Sequence, residues 1–322
     1  MANYIEYGGQ IVMPPPFKLL NSLMYGFLFD GDKVKLQNLL DQRLNFPSEQ
    51  SKRRYTILTD DVLATFATTP KAVSLDPQGA KLGYTVEEEL VLWVLALESV
   101  KVGNTWKANR LVWIIPYIFV NNILTTVAGR EIYGIPKTLG TFAIPTDPKS
   151  ANYFRASTSG FKTFSPDSLF QEYPLFVVQR GQTNNIATNV QKTWKNGSEA
   201  LHDLSSLLTG GEQLLKKLDI RFCWNELQDL ATATLPSVML KQFRGVSDGT
   251  TACYQALTES PFKVNAFHSG GLLFNHYELK IAQMDSFPLT ADLGITSGQK
   301  SKVSFWVNID FTLELGKELW KA

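Results

Sequence analysis

The fold of this 322-residue chain is constrained most strongly by a set of apolar runs that are rich in β-branched and aromatic residues. Three of these runs, at 90–99, 110–120 and 123–128, are separated only by short polar or glycine-bearing pieces. The C-terminal third contains further runs, at 252–258, 262–267, 277–284 and 303–313. Runs of this composition and spacing are typical of β-strands joined by short turns, so the sequence predicts a fold made mainly of sheet.

Helical periodicity begins after the first apolar stretch. Residues 17–29 are apolar and aromatic-rich, and the sequence then becomes polar and helix-periodic over 32–44, which predicts a strand that leads into a helix. Pro47 follows closely. Because the residue before a proline avoids the helical conformation, we expect the helix to end there.

A second helical region, at 196–231, interrupts the strand-rich pattern. Ser198 is its predicted N-cap, and Gly210 is suited to the left-handed turn that stops a helix. Another helix is predicted to start at Glu212, and a short helical tail at 314–321. The 196–231 region could serve as a lid, as an oligomer contact or as a buttress for the sheet.

Composition excludes several classes of function. The chain has 31 basic and 30 acidic residues and a net charge of +1, whereas a nucleic-acid-binding protein carries a clustered basic excess. The apolar runs at 90–97 and 111–120 are far shorter than the roughly 20 residues of a membrane-spanning helix. The N-terminal residues lack the basic and apolar regions of a secretory signal, so a cytoplasmic location is predicted.

The sequence offers no metal or nucleotide motif. Its two cysteines, Cys223 and Cys253, form no C-x-x-C pair, and His268 and His276 have neither metal-ligand spacing nor a carboxylate neighbour in sequence. Neither a phosphate-binding loop nor a G-x-S-x-G nucleophile turn occurs. We therefore expect no bound metal, no nucleotide cofactor and no hydrolase triad.

The segment that carries chemistry is 129–140, G-R-E-I-Y-G-I-P-K-T-L-G, a turn between predicted strands that contains one lysine, Lys137. It resembles the active-site segment of the acetoacetate decarboxylase family, which has the pattern G-R-E-x-x-x-x-P-K-x-L-G. Similar family segments are identified at 97–99, 118–122, 236–241 and 248–250. The resemblance covers roughly 17–165 and 235–320.

This resemblance implies an α+β fold of mostly antiparallel strands, in which a double sheet curls like a cone around a central pocket and is flanked by helices. A single domain over 1–322 is expected, with a helical insertion at about 166–235. The family is cofactor-independent and usually oligomeric. A small carbonyl substrate and a homo-oligomer are therefore the predicted partners, with no nucleic acid and no membrane.

The resemblance also implies that Lys137 forms a Schiff base with a ketone or a keto acid. A free lysine has a pKa of about 10.4, so half-neutralising one near pH 7 requires about 4–5 kcal/mol of destabilised charge. Acetoacetate decarboxylase is the known example of a lysine activated by desolvation or by an adjacent cation. Its second lysine is replaced here by Thr138, which leaves desolvation by apolar neighbours such as Ile135 and Leu139. The alternative is a solvated lysine in a surface turn.

Four further residues are candidates for the site. Glu98 matches the family glutamate that lies beside the Schiff base, and a pocket would raise its pKa and suit it to acid–base work; otherwise it is a strand-end glutamate that faces water. Arg130, Tyr133 and Arg110 are candidate substrate-binding residues. Arg130 could instead organise the turn, and Tyr133 could be a packing residue.

One position departs from the family in a way that affects the reaction. Ser22 lies near the place where the decarboxylases have an arginine that holds the substrate carboxylate, and only Arg110 or Lys18 could replace it. Two hypotheses follow. The chain is a Schiff-base lyase that catalyses decarboxylation or aldol condensation and dehydration, or it is a non-catalytic member that binds a small molecule or serves in an assembly.

Overall fold

The computed structural model describes residues 4–5, 12–181, 189–208, 236–274 and 277–322. Sheet dominates these ranges. The strands are β1 (Phe17–Asp30), β2 (Arg53–Ile57), β3 (Asp61–Ser74), β4 (Tyr84–Val102), β5 (Thr105–Val120), β6 (Lys137–Leu139), β7 (Thr141–Ala143), β8 (Tyr153–Gly160), β9 (Gln171–Arg180), β10 (Val190–Thr193), β11 (Pro236–Arg244), β12 (Ala252–Leu273), β13 (Tyr277–Ile281), β14 (Val303–Leu313) and β15 (Lys317–Lys321). The helices are α1 (Lys33–Leu40), α2 (Ile123–Ala128), α3 (Gly197–Leu208) and α4 (Leu289–Leu293).

The larger sheet closes on itself. Strands β4, β3, β1, β14, β12, β11 and β5 follow one another in that order, and pairing between β5 and β4 completes the ring. Neighbours in the ring are antiparallel, except that β5 and β11 run parallel over a short contact. Closure removes the free edges that an open sheet of this size would expose. The strand β6 extends from β5 as a short parallel addition.

A second, antiparallel sheet of β13, β9, β8 and β7 packs against the outside of this ring. The main hydrophobic core lies between the two sheets, where the rings of Phe27 and Phe154 and those of Phe27 and Tyr277 are each 4.9 Å apart. Strand alternation separates this core from the ring interior: Leu90 and Leu92 belong to it, whereas Val91 packs in a different cluster. The predicted α+β, mostly antiparallel double sheet is therefore confirmed.

The first predicted helix is confirmed, and its ends have clear causes. The Asp32 side chain accepts hydrogen bonds from the backbone N–H groups of Val34 and Lys35, which caps α1. A π-helical turn over Asp41–Asn45 continues the helix to the residues that precede Pro47.

Two element types were predicted wrongly. Residues 123–128 form α2 rather than a strand, because the Asn122 side chain caps the Thr125 N–H at 2.9 Å and overrides the β-branched composition. The tail at 317–321 forms β15 rather than a helix, since pairing with β12 satisfies its backbone and Trp320 packs against the core.

The predicted insertion at 166–235 is helical only in part. It includes β9 in the second sheet and β10 on the edge of β12, and α3 is its helix in the described ranges. The cap of α3 is Asn196 rather than Ser198, since Asn196 Oδ1 accepts from the Glu199 N–H at 2.9 Å. The predicted stop at Gly210, the helix from Glu212, Cys223 and His276 lie outside the described residues. No helix in the described ranges is long and apolar enough to cross a bilayer.

Candidate active site

A pocket lies inside the ring, since side chains from six of its seven strands line it together with α2 and the segment that follows. About 70 Å³ is open to the centre of a water-sized sphere, whereas a single water requires about 10–15 Å³. The pocket therefore has room for a small organic molecule. Its lining residues are Met13, Phe17, Leu19, Ala72, Thr85, Glu87, Glu89, Val91, Trp93, Ile115, Ile118, Leu124, Thr125, Ala128, Gly129, Tyr133, Ile135, Lys137, Phe262, Phe311 and Leu313.

The lysine-bearing segment is held by its own turn geometry. A π-helical turn over Gly129–Tyr133 extends α2, and the Ile135 N–H then donates to the Gly129 carbonyl at 2.9 Å. Gly134 has φ +80°, and a Cβ at this position would lie 2.5 Å from Lys241 Cβ. A side chain there is excluded by both backbone conformation and space, which explains why this chain has a glycine at position 134.

Residue alternation after this turn aims the lysine inward. Tyr133, Ile135 and Lys137 line the pocket in the ring, whereas Gly134 and Pro136 line a separate cavity on the other side of the segment. The parallel pairing of β6 with β5 fixes the direction of the lysine. At Gly129 a Cβ would lie 2.6 Å from Lys137 Cδ, so the absence of a side chain lets the lysine chain pass.

The Lys137 side chain is largely buried and ion-paired. Its Nζ lies 2.6 Å from Oε1 of Glu87, and the exposed fractions of the two side chains are 11% and 6%. Lys137 therefore does not occupy the solvated surface turn considered as its alternative. A carboxylate at this distance can accept a proton directly from the lysine ammonium, which an amine must lose before it can attack a carbonyl.

Glu89 provides a second carboxyl group on the same face of β4. Residues two apart on a strand point to the same side and lie about 7 Å apart. Burial, reinforced by the negative charge of Glu87, raises the pKa of Glu89 to about 8, although the Lys137 charge opposes the shift. Glu89 is therefore mostly protonated at neutral pH. The pocket thus places a proton donor, a proton acceptor and a primary amine together.

Glu98 lies elsewhere, and the structure does not bring it to Lys137. It is nine residues beyond Glu89 on β4, or roughly 30 Å along the strand. Its carboxylate is bonded by Arg53 at 2.7 Å and by Arg110 at 2.6 Å. Burial favours the neutral form of Glu98, but the hydrogen bonds and charges of Arg110, Asn109 and Arg53 more than offset burial and lower its pKa. The expected raised pKa was therefore wrong in direction.

Of the other candidates, Tyr133 lines the pocket, whereas Arg130, Arg110 and Ser22 do not. Tyr133 is buried and lines the pocket with Lys137, and burial raises its pKa and keeps its hydroxyl neutral. Arg130 is exposed, and its Nη1 donates to the Lys137 backbone carbonyl at 3.3 Å. Arg110 does not line the pocket, because Glu98 and Glu259 hold it. Ser22 is fully buried, and its Oγ lies 2.8 Å from Thr69 Oγ1.

Sequence reasoning missed Glu87 and Glu89, although the sequence contained a signal for them. Three consecutive glutamates, 87–89, stand at the start of a strand, and alternation places the first and third on one face. The partner strand β5 is followed by α2 and then by the lysine segment. The resemblance to the family indicated Glu98 instead.

The described residues contain no group of three or more histidine, cysteine, aspartate and glutamate side chains that could hold a metal ion. The Nε2 of His268 lies 2.8 Å from Asp310 Oδ1, a pair outside the pocket lining.

Comparisons with known proteins give structural matches only. No family model and no curated protein matches the sequence. Acetoacetate decarboxylase from Legionella pneumophila is 14% identical, with a TM-score of 0.55, over 95% of this chain and 88% of its own. An acetoacetate decarboxylase-like enzyme from Sphingomonas wittichii is 13% identical, with a TM-score of 0.55, over 100% and 99%.

A third match is the enduracididine biosynthesis enzyme MppR, complexed with the condensation product of pyruvate and imidazole 4-carboxaldehyde. It is 14% identical, with a TM-score of 0.55, over 96% of this chain and 91% of its own. Matches that span nearly the whole of both chains, together with the closed ring and its pocket, show that this protein has the fold of the acetoacetate decarboxylase-like enzymes.

Proposed function

We propose that this protein is a cofactor-independent lyase in which Lys137 forms a Schiff base with a small carbonyl compound. The observation that carries the proposal is the arrangement in the ring pocket, where the Lys137 amine lies 2.6 Å from Glu87 and near a Glu89 whose pKa is about 8. Amine, acceptor and donor are the three groups that imine formation requires.

The two carboxyl groups account for every proton in imine formation. Glu87 takes a proton from the Lys137 ammonium, and the amine lone pair forms a C–N bond while the carbonyl oxygen takes a proton from Glu89. The new ammonium then returns a proton to the Glu89 carboxylate. Finally the protonated Glu87 gives its proton to the carbinolamine hydroxyl, water leaves, and the nitrogen lone pair forms the iminium. Both glutamates end in their starting states.

The iminium is an electron sink for the next bond cleavage. Electrons from a neighbouring C–C or C–H bond can move into it, which permits decarboxylation, or aldol bond formation followed by dehydration. The fold supports both outcomes, because one neighbour is a decarboxylase and another was found with an aldehyde condensation product. A homo-oligomeric assembly stays a prediction.

A second candidate function is a non-catalytic module that binds a small molecule in the same pocket. Thr138 in place of the second family lysine favours it, as does the close ion pair between Lys137 and Glu87, which an attacking amine would have to break. On this hypothesis binding needs no covalent bond, so a ligand would still bind after replacement of Lys137.

Borohydride trapping separates the two functions. Intact mass is measured after reduction with a panel of ketones, aldehydes and keto acids for the wild type, Lys137→Ala and Lys149→Ala, an exposed lysine outside the pocket. The lyase proposal expects one adduct on the wild type and on Lys149→Ala and none on Lys137→Ala. The absence of any adduct, combined with ligand-induced rises in Tm that persist in Lys137→Ala, would establish the binding module instead.

A further inference from the structure

We infer that the ring pocket selects neutral, apolar ketones or aldehydes and disfavours keto acids. This inference rests on the proposed Schiff-base function and names the substrate class of the same site. It follows from the charges that line the pocket, from the positions of the nearby cations and from the apolar walls.

The charges in the pocket leave a substrate carboxylate without a partner. Lys137 is the only lysine or arginine among the described lining residues, and Glu87 already pairs with it. Conversion to an iminium keeps one positive charge at the same nitrogen, so the pairing persists through the reaction. A carboxylate would therefore enter a mostly apolar cavity beside Glu87 and Glu89, and a buried charge without a partner is strongly disfavoured.

The nearby cations Arg110, Lys18 and Arg130 are not placed to pair with a substrate carboxylate. Arg110 is held by Glu98 and Glu259 and lies outside the lining. Lys18 stands between Phe17 and Leu19, which both line the pocket, so strand alternation points it to the opposite face. Arg130 is exposed and donates to a backbone carbonyl.

The position where the family decarboxylases have their arginine also provides no cation. Ser22 occupies it, and its hydroxyl is hydrogen-bonded to Thr69. A carboxylate-anchoring group is therefore missing from the described part of the site.

The walls fit an apolar substituent. Phe262 stacks on Phe311 with ring centroids 4.8 Å apart, and Trp93 meets Phe262 edge-on at 5.9 Å. Val91 and Ile115 complete this side. Burying a hydrocarbon chain here removes apolar surface from water on both partners, whereas a carboxylate would lose its hydration without replacement.

A neutral substrate also limits the reactions that the iminium can undergo. A carbonyl compound without a carboxylate cannot lose carbon dioxide, so the iminium must lose a proton from the neighbouring carbon. Glu87 is the acceptor: the C–H pair forms a C=C bond, and the C=N π pair returns to nitrogen as an enamine. The enamine then attacks an aldehyde, whose oxygen takes the proton of Glu89 as the iminium re-forms, or it expels a β-hydroxyl as water after protonation by Glu89. Aldol and dehydration chemistry is therefore favoured over decarboxylation.

The test compares substrates that differ only in charge. Borohydride trapping rates are measured for acetoacetate and for its methyl ester, and each is divided by its rate with a simple alkylamine to remove intrinsic reactivity. The inference expects the neutral ester, and 2-pentanone as a second neutral probe, to be trapped at least about tenfold faster than acetoacetate. Glu87→Gln, which removes the carboxylate charge beside Lys137, should reduce this ratio.

The outcomes distinguish the neutral-substrate inference from the Schiff-base function on which it rests. Equal or faster trapping of acetoacetate would overturn the neutral-substrate inference and leave Schiff-base chemistry standing. Trapping of none of the probes would overturn the Schiff-base function itself, and the inference with it.

Discussion

The two ends of β4 carry glutamates whose pKa values are shifted in opposite directions. At one end Glu98, which has no exposed surface, is bonded by Arg53, Arg110 and Asn109, and its pKa lies below the ordinary value. At the other end Glu89 lies beside a second carboxylate, and its pKa rises to about 8. Burial raises the pKa in both cases, so the partners decide the sign. A glutamate saturated with cations serves stability, whereas one short of cations is available for proton transfer.

The largest expected effect is on stability at the Glu98 end. Glu98→Ala leaves the half-buried Arg53 and Arg110 without their shared carboxylate, and breaking such a pair costs about 3–5 kcal/mol. Urea unfolding should show this loss. Glu88→Gln on the same strand is the control, because among the described residues its carboxylate accepts a hydrogen bond only from Asn121, at 3.3 Å, and a loss of about 0.5 kcal/mol is expected. Similar losses of unfolding free energy in Glu98→Ala and Glu88→Gln would show that Glu98 contributes no more to stability than Glu88.

The next effect is a pH dependence that originates at Glu89. Its pKa is raised in the folded state, so the folded protein holds an extra proton between the ordinary glutamate pKa and about pH 8. Stability then falls as pH rises through this window, by up to about 1.4 kcal/mol per pH unit. Glu89→Gln cannot ionise and should lack this loss. Unfolding free energies at pH 5.5, 7 and 8.5 should therefore shift in favour of Glu89→Gln as pH rises; a constant difference would refute the raised pKa.

A smaller effect is expected where Gly129 lets the lysine chain pass. In Gly129→Ala the new methyl group would lie 2.6 Å from Lys137 Cδ, which must move and displace the amine from Glu87. Misplacement of a reacting group by about 1 Å can cost about 100-fold in rate, so trapping should slow by at least about tenfold. Gly245→Ala is the matched control, because in the described part of the chain its methyl group would meet Thr251 alone, and it should trap at the wild-type rate.

The smallest effect is expected at Arg130. Its guanidinium is exposed and donates one long hydrogen bond, 3.3 Å, to the Lys137 carbonyl. Arg130→Ala should therefore change stability by less than about 0.5 kcal/mol and trapping by less than about threefold. A loss comparable to that of Gly129→Ala would instead assign Arg130 to substrate binding.

The sequence was informative where local patterns decide the structure. Apolar runs predicted the strands β1, β4, β5, β12, β13 and β14. The glycine and proline spacing around Lys137 identified a turn that the structure explains through Gly129 and Gly134. The sequence was less informative where contacts outside a segment's own pattern determine its secondary structure. The tail at 317–321 became a strand through pairing with β12, and Asn122 capped a helix in a β-branched segment.

Residue environments in the site depended on the same distant contacts. Glu98 has no neighbour in sequence that shows it lies between two arginines, and Glu89 acquires its environment from Glu87 and the closed ring. Alternation along the 87–89 run could have placed two glutamates on one face. Only the pairing of β4 with β5 shows that this face meets Lys137.

The most direct test of Schiff-base formation at Lys137 is to locate the modified residue after borohydride reduction with a neutral ketone. Peptide mapping by mass spectrometry assigns the reduced adduct to one lysine among those of the chain. If Lys137 forms the Schiff base, Lys137 is the single modified residue, and Lys137→Ala shows no modification. A label on another lysine such as Lys241, or labels spread over exposed lysines at equal levels in both proteins, would contradict it.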